Sequence, residues 1–129
     1  MIARNEIIVV EDNDGVRQSI DHLLEHSGYE SRSYATAEEL LETEIGQPSL
    51  MIFDIRLAGQ SGLSLLKFVR SQGLEVPAIL ISGNFDTGVD YSLQFLPNTV
   101  CLQKPFLPEE FLEVIERMIR SRQGCTETV

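Results

Sequence analysis

Short apolar runs alternate along this chain with longer stretches in which apolar residues recur every three or four positions. The short runs predict strands, whereas the recurring spacing predicts amphipathic helices. The five predicted strands cover residues 7–10, 30–34, 50–53, 78–81 and 100–103. Three predicted helices have clear apolar stripes, formed by Val16, Ile20, Leu23 and Leu24, by Leu63, Leu66 and Val69, and by Phe111, Ile115, Met118 and Ile119.

Capping residues, glycine and proline indicate where several helices begin and end. Thr36 and Glu39 have the spacing of a capping box that opens a short second helix. The third helix should end near Gly73, and Pro108 should lie in the first turn of the C-terminal helix. Residues 84–98 should contain a further helix, whose limits the sequence leaves open.

The alternation of strands with helices predicts the arrangement of the chain. Each connecting helix must pack back on the sheet, which favours a parallel sheet covered by helices on both faces. At 129 residues, the chain is long enough for one domain with a single core. Ligands of such sheets bind beyond the carboxyl ends of the strands, so a functional site is expected at that edge.

Charge and hydropathy narrow the classes of partner. The 20 acidic and 10 basic residues give a net charge of −10, which disfavours direct binding to nucleic acid or to anionic membranes. No stretch approaches the roughly 18 apolar residues of a membrane span. The N-terminal residues lack the features of a signal peptide, so a cytoplasmic location is expected.

Cysteine and histidine have simple interpretations here. Cys101 lies in a predicted strand and is expected to be a small core residue, whereas Cys125 lies in a polar tail. The two are expected to be reduced thiols. His22 and His26 have a spacing that can bind zinc, but no third ligand is evident and a solvated pair is expected.

Four predicted strands end in polar side chains that should meet at one edge of the sheet. These are Glu11 and Asp12, Asp54, Ser82, and Lys104 followed by Pro105. Three carboxylates in close proximity repel one another and therefore require a cation. An all-oxygen site of this kind suits Mg²⁺. A carboxylate beside Mg²⁺ can act as a nucleophile towards a phosphoryl group.

Each of these residues also has a simpler interpretation when it is considered alone. Asp12 or Asp14 could cap the first helix. Residues 82–84 could form an ordinary turn, and Lys104 could be a surface lysine before a proline at a helix entry. Asp54 could end its strand by bonding to the following loop.

The order and spacing of four motifs carry a specific resemblance. The segments VVEDND, IFDIRLAGQSG, LISGN and LQKPF resemble the acidic pair, phosphoacceptor loop, hydroxyl position and Lys-Pro motif of bacterial response-regulator receiver domains, a CheY-like superfamily. The resemblance covers about residues 5–122. It implies a flavodoxin-like, doubly wound fold with strand order 2-1-3-4-5, comprising residues 1–122 and a frayed tail over residues 123–129. All four motifs together favour a phosphoacceptor.

The resemblance also implies a role for most site residues. Asp54 would be the phosphoacceptor, and Lys104 and Ser82 would contact the phosphoryl group. The implied Mg²⁺ ligands are Glu11, Asp12, Asp54 and the backbone carbonyl of Arg56. The other matching positions are Pro105, expected to follow a cis peptide bond, Gly62 in the phosphoacceptor loop and Asn84 in the LISGN motif.

The function implied by the resemblance is two-component signal transduction. A sensor histidine kinase or phosphotransfer protein would donate the phosphoryl group, and the chain would not be a conventional enzyme. The fourth predicted helix, the fifth strand and the C-terminal helix would form the face that signals to an output domain or downstream protein. The same face could support a homodimer.

Several positions depart from the family pattern. Cys101 stands where receivers usually have an aromatic switch residue, and Phe85, Tyr91 or Phe95 could replace it. Pro97 and Asn98 replace the usual Gly-Ala pair before the fifth strand, so the helix before it is expected to be shortened or displaced. Ala58 replaces a proline, and Ser82 replaces the commoner threonine.

Two other functions stay open from the sequence. The first is a Mg²⁺-dependent phosphohydrolase with Asp54 as nucleophile, although Arg56 stands where a second acid would be needed. The second is a receiver-like interaction module that works without phosphorylation, which the cysteine at position 101 keeps under consideration.

Overall fold

The computed structural model describes residues 5–83 and 96–124, with side chains as far as residue 120. The helix predicted within residues 84–98 falls largely outside this range, as do Asn84, Phe85, Tyr91, Phe95 and Cys125. The strands are β1 (Glu6–Val10), β2 (Glu30–Tyr34), β3 (Leu50–Asp54), β4 (Ala78–Ser82) and β5 (Thr99–Gln103). The described helices are α1 (Asp14–His26), α2 (Ala37–Leu41), α3 (Gly62–Ser71) and α4, the C-terminal helix (Pro108–Gly124).

The five strands form one parallel sheet in the order β2-β1-β3-β4-β5. This confirms the predicted doubly wound arrangement and strand order. The three central strands β1, β3 and β4 are continuously apolar and almost fully buried, because helices cover both faces of the sheet. None of the helices in the described ranges is both long and apolar enough to cross a membrane.

Alternate residues of each central strand contribute to two separate apolar cores. On one face, strand residues such as Ile7 and Ile52 pack with side chains of α1 and α4, including Leu24 and Phe111. On the other face, the core consists mainly of Ile8, Val10, Met51, Phe53, Ala78 and Leu80 with Leu40, Leu65, Leu66 and Val69 from α2 and α3. This packing fixes the register of the strands, since a shift by one residue would exchange the two faces.

The helices begin at side chains that satisfy free backbone N–H groups. Asn13 caps α1, because its Oδ1 accepts a hydrogen bond from the Val16 backbone N–H at 2.9 Å. The expectation that Asp12 or Asp14 could be the cap is therefore wrong: residue 13 is the last with extended backbone, and Asp14 is already helical. At α2, Thr36 Oγ1 accepts from the Glu39 N–H at 3.1 Å, as predicted.

The prediction that Cys101 is a core residue is also wrong. Cys101 is exposed because β5 is an edge strand and only alternate residues face the core. Val100 and Leu102 pack against the core formed with α1 and α4, so the side chain between them points to the opposite face. The apolar pattern of this strand did not reveal which of its alternate residues face the core.

Gly62 allows α3 to begin directly against the end of β3. Its N–H donates to the Ile55 carbonyl at 2.8 Å, and a Cβ at this position would lie 2.1 Å from the Asp54 carbonyl oxygen. A distance this short is a steric overlap, so the loop and β3 can approach each other only when residue 62 has no side chain. The glycine thereby sets the path of the loop that follows Asp54.

Replacing Gly62 with alanine should therefore destabilise the fold. We expect Gly62→Ala to lower the free energy of unfolding by about 2–3 kcal/mol, because the methyl group forces the backbone of residue 54 to move. Urea denaturation would measure this change. The matched control is Gly15→Ala in α1, where a Cβ meets nothing closer than Asn13 Oδ1 at 3.4 Å. Equal stability of the two variants would contradict the proposed steric constraint.

Candidate functional site

Four strands deliver polar side chains to the carboxyl edge of the sheet. Asp54 is the last residue of β3 and Ser82 the last of β4, whereas Glu11 directly follows β1 and Lys104 directly follows β5. Because the strands are parallel and in register, these ends lie side by side. The structure thus brings together residues that are far apart in the sequence.

Lys104 joins two buried carboxylates. Its Nζ donates to Glu11 Oε1 at 3.0 Å and to Asp54 Oδ2 at 3.2 Å. Glu11 is 1% exposed and Asp54 is 6% exposed, so both charges have lost most of their hydration. The ammonium group offsets part of this cost, but it supplies one positive charge for two carboxyl groups.

Burial and the neighbouring polar groups change the pKa values of Glu11 and Lys104. Burial, followed by hydrogen bonding to Asp54, raises the pKa of Glu11 from its ordinary value of 4.5 to about 7. Burial alone would lower the pKa of Lys104, but hydrogen bonding to Glu11 and the charge of Asp54 outweigh it and raise that pKa. Lys104 therefore stays charged at neutral pH, while Glu11 competes for a proton.

The loop after β3 fixes the orientation of Asp54. The Arg56 backbone N–H donates to Asp54 Oδ1 at 2.9 Å, so each carboxylate oxygen has one donor. An isolated antiparallel bridge between Arg56 and Ser61 closes this loop before α3 begins. The Arg56 side chain is exposed, at the surface of the loop. The carboxylate is therefore held in one orientation while the loop stays open to solvent.

The acidic residues have the arrangement expected of a cation site. One carboxylate oxygen from each of Glu11, Asp12 and Asp54 lies within 4.8 Å of the other two. Glu11 and Asp54 are buried, whereas Asp12 is exposed on the solvent side. Carboxylate oxygens suit a hard cation, and an open side leaves room for water and phosphate oxygens, as Mg²⁺ prefers. The donor chemistry of these residues therefore fits Mg²⁺.

Ser82 and Cys101 lie beside each other on neighbouring strands. Ser82 is buried, and its backbone carbonyl accepts a hydrogen bond from the Lys104 N–H at 2.7 Å. The Cys101 thiol lies 3.9 Å from Ser82 Oγ, a weak hydrogen-bonding contact. The peptide bond between Lys104 and Pro105 is cis. Asn84 lies outside the described residues.

The contacts of Asn13 at this edge were not predicted from the sequence. Besides capping α1, its backbone N–H donates to Glu11 Oε2 at 3.1 Å. The preference of asparagine for helix N-caps could have indicated that Asn13 caps α1. His22 and His26 are exposed and their rings stack at 5.3 Å, and no metal-binding cluster in the described part of the chain includes them.

Comparison with known proteins identifies the family. The sequence profile described as "Response regulator receiver domain" matches residues 7–116, which is most of the chain. The chain belongs to the response regulator receiver domain family. The receiver fold, with its acidic cluster at the carboxyl edge, therefore serves two-component signal transduction as a phosphoacceptor module and not as a conventional enzyme.

Similar proteins agree with this assignment. The receiver is 30% identical over 115 residues to the transcriptional regulatory protein CssR of Bacillus subtilis, a match that covers 88% of this chain and 51% of CssR. It is 26% identical over 129 residues to the transcriptional regulatory protein FixJ of Bradyrhizobium diazoefficiens, covering 99% of this chain and 63% of FixJ. The chain thus spans about half the length of CssR and less than two thirds of FixJ.

Solved structures show the same fold. A CheY-like response regulator receiver domain protein from Methanospirillum hungatei superposes on this receiver with a TM-score of 0.83 and 27% identity. That match covers 95% of this chain and 98% of the other. The likeness therefore extends over nearly the whole of both chains.

The raised pKa of Glu11 predicts how stability depends on pH in the absence of metal. Between pH 4.5 and about 7 the unfolded chain loses this proton while the folded receiver retains it. The contribution of Glu11 to stability is therefore complete below pH 4.5 and is lost as pH rises through 7. We expect this loss to reach at most about 3 kcal/mol.

Urea denaturation in EDTA between pH 4.5 and 8 would measure that loss. Glu11→Gln cannot ionise and should show a flatter pH dependence than the wild type. Glu25→Gln, an exposed change on α1, should leave the wild-type dependence unaltered. If Glu11→Gln shows the same pH dependence as the wild type, the Glu11 carboxyl does not hold a proton at neutral pH.

Proposed function

We propose that Asp54 accepts a phosphoryl group from the phosphohistidine of a sensor histidine kinase or phosphotransfer protein. The observation that carries this proposal is the position of Asp54. It ends a central strand, shares a cation site with Glu11 and Asp12, and contacts the Lys104 ammonium group. A nucleophilic carboxylate, a site for a cation and a positive charge for the phosphoryl oxygens thus occur together.

The transfer exchanges one bond to phosphorus for another. A carboxylate oxygen of Asp54 attacks the phosphorus, and an oxygen–phosphorus bond forms while the nitrogen–phosphorus bond breaks. The electron pair of the broken bond returns to the imidazole of the donor. The Arg56 N–H orients the carboxylate, and Lys104 neutralises charge on a phosphoryl oxygen in the transition state.

Mg²⁺ is the cofactor that we assign to the acidic cluster. Glu11, Asp12 and Asp54 would hold it with their carboxylates, together with the backbone carbonyl of Arg56. When bound, Mg²⁺ supplies positive charge for the transferring phosphoryl oxygens. The exposed side of the cluster, at Asp12, would give the phosphoryl donor access to the site.

Phosphorylation would change the contacts of Lys104 and Ser82. The new group adds about −1.5 to −2 charge units and three acceptor oxygens. Lys104 and the Ser82 hydroxyl would then bind these oxygens, which draws the ends of β4 and β5 towards the site. The thiol of Cys101 lies beside Ser82 and would be displaced with it.

The proposed surface that passes the signal on lies outside the site described above. We propose that residues 1–122 are the receiver, that residues 123–129 are a tail, and that the protein acts in the cytoplasm. The proposed signalling face comprises the segment before β5, β5 itself and α4, and it would contact an output domain, a downstream protein or a second copy of the chain. With a net charge of −10, this domain would reach DNA only through another domain or partner.

The assignment to Asp54 can be tested with a small phosphodonor. Incubation with acetyl phosphate and Mg²⁺ should add one phosphoryl group to the wild type, and intact mass spectrometry would detect it. Asp54→Asn should gain none, because the amide is a poor nucleophile. Asp14→Asn, an exposed acid of the same region, should still be phosphorylated. Equal mass gain in Asp54→Asn and the wild type would refute the assignment.

Two further measurements separate the alternatives from the proposal. Repeated hydrolysis of a small phosphoester by the wild type, abolished in Asp54→Asn, would favour a phosphohydrolase. Partner binding that is unaffected by Asp54→Asn or by EDTA would favour an interaction module that works without phosphorylation.

Mg²⁺ binding can be tested without phosphorylation. Because a ligand of the folded state stabilises it, Mg²⁺ should raise the melting temperature of the wild type with increasing concentration. Asp12→Asn should weaken Mg²⁺ binding by at least about tenfold, since it removes a charged ligand from the open side. Glu25→Gln should bind like the wild type. No effect of Mg²⁺ on the melting temperature would argue against the cation site.

A further inference from the structure

Arg17 makes two contacts at the base of the acidic cluster. Its Nη1 donates to the backbone carbonyl of Glu11 at 2.9 Å, and its Nη2 contacts Asp14 Oδ1 at 2.6 Å. The Arg17 side chain is only 18% exposed, whereas that of Asp14 is 77% exposed. The guanidinium group thus connects the residue that follows β1 to the first turn of α1.

These contacts belong to a set that fixes the turn between β1 and α1. The Glu11 N–H donates to the Tyr34 carbonyl at 3.0 Å, and the Glu11 carboxylate accepts from the Asn13 N–H at 3.1 Å. Asn13 in turn caps α1. Glu11 and Asn13, the residues on either side of Asp12, are therefore held through backbone and side chain.

Asp12 itself has no such support. Among the side chains described, in residues 5–83 and 96–120, and the backbone N–H groups of the described ranges, none donates a hydrogen bond to its carboxylate, which is exposed. Its position relative to Glu11 and Asp54 consequently depends on the backbone of the turn. That turn is held from the helix side by the Arg17 guanidinium group.

We propose that Arg17 is a positioning residue for the Mg²⁺ site. This role rests on the proposed function, since it assumes that the acidic cluster binds Mg²⁺. Arg17 contacts no carboxylate of the cluster; it acts through the Glu11 carbonyl and thereby holds Asp12 where its oxygen can meet those of Glu11 and Asp54. Groups that orient metal ligands in this way contribute about 10- to 100-fold to metal affinity.

The positive charge of Arg17 would have the opposite effect. A cation near the cluster repels Mg²⁺, so removal of the charge alone should strengthen Mg²⁺ binding. A role in positioning predicts weaker binding when the guanidinium group is lost, whether or not the charge is kept. The sign of the change therefore distinguishes the two effects.

Isothermal titration calorimetry with MgCl₂ alone, on the full chain, tests this inference. Arg17→Lys keeps the charge but loses the planar pair of donors, and Arg17→Gln loses both. We expect each to bind Mg²⁺ about tenfold more weakly than the wild type. Arg120→Gln, which removes an exposed arginine paired with Glu116 on α4, is the matched control and should not weaken Mg²⁺ binding.

Asp14→Asn separates the two contacts of Arg17. It removes the ion pair at the exposed end but leaves the bond to the Glu11 carbonyl, so it should weaken Mg²⁺ binding less than Arg17→Lys does. Circular dichroism would establish that each variant is folded at the titration temperature. If Arg17→Gln is unfolded, the Mg²⁺ affinities of Arg17→Lys and Asp14→Asn are compared instead, and a weaker affinity in Arg17→Lys supports the positioning role.

The outcomes are distinct from those that test the proposed function. Unchanged or tighter Mg²⁺ binding by Arg17→Lys would overturn the positioning role while leaving the cation site intact. Failure of the wild type itself to bind Mg²⁺ would overturn the cation site and, with it, the role of Arg17. Weaker binding by Arg17→Lys, together with a normal Arg120→Gln, would support the inference.

Discussion

The ion pairs of Lys104 with Glu11 and Asp54 are the interaction on which the carboxyl edge of this receiver depends. They connect the ends of β1, β3 and β5, joining residues that are 93 and 50 positions apart in the sequence. Two buried carboxylates without a counter-charge would each cost several kcal/mol. The ammonium group makes their burial tolerable, so the strand ends can converge on one site instead of separating to reach water.

This compensation of the buried negative charge is incomplete. One ammonium group faces two buried carboxyl groups and the exposed Asp12, so negative charge remains in excess. A cation or a proton can relieve it, and the raised pKa of Glu11 reflects the second possibility. A site with residual repulsion is less stable than it could be, and the proposed binding of a divalent cation would relieve that repulsion.

The two sides of the domain differ in how closely they follow the family pattern. The input side has the acidic pair, Asp54, Ser82 and Lys104 at adjacent strand ends. The proposed output side has an exposed thiol at position 101. This residue lies on the edge strand β5, where only alternate residues face the core. The thiol at this position fills a smaller volume than the aromatic side chain that is usual in the family.

The sequence alone predicted a parallel sheet with polar residues at its carboxyl edge, and the resemblance of four motifs to receiver domains implied the strand order. Strand and helix periodicities are local properties, and a parallel sheet places the carboxyl ends of its strands at one edge, so Asp54 and Lys104 were expected to lie close together. Only the tertiary structure decided that Cys101 is exposed, that Asn13 caps α1, and that Arg17 holds the Glu11 carbonyl. Those outcomes depend on which face of β5 packs on the core and on backbone geometry at the turns, and both arise from the packing of the whole chain.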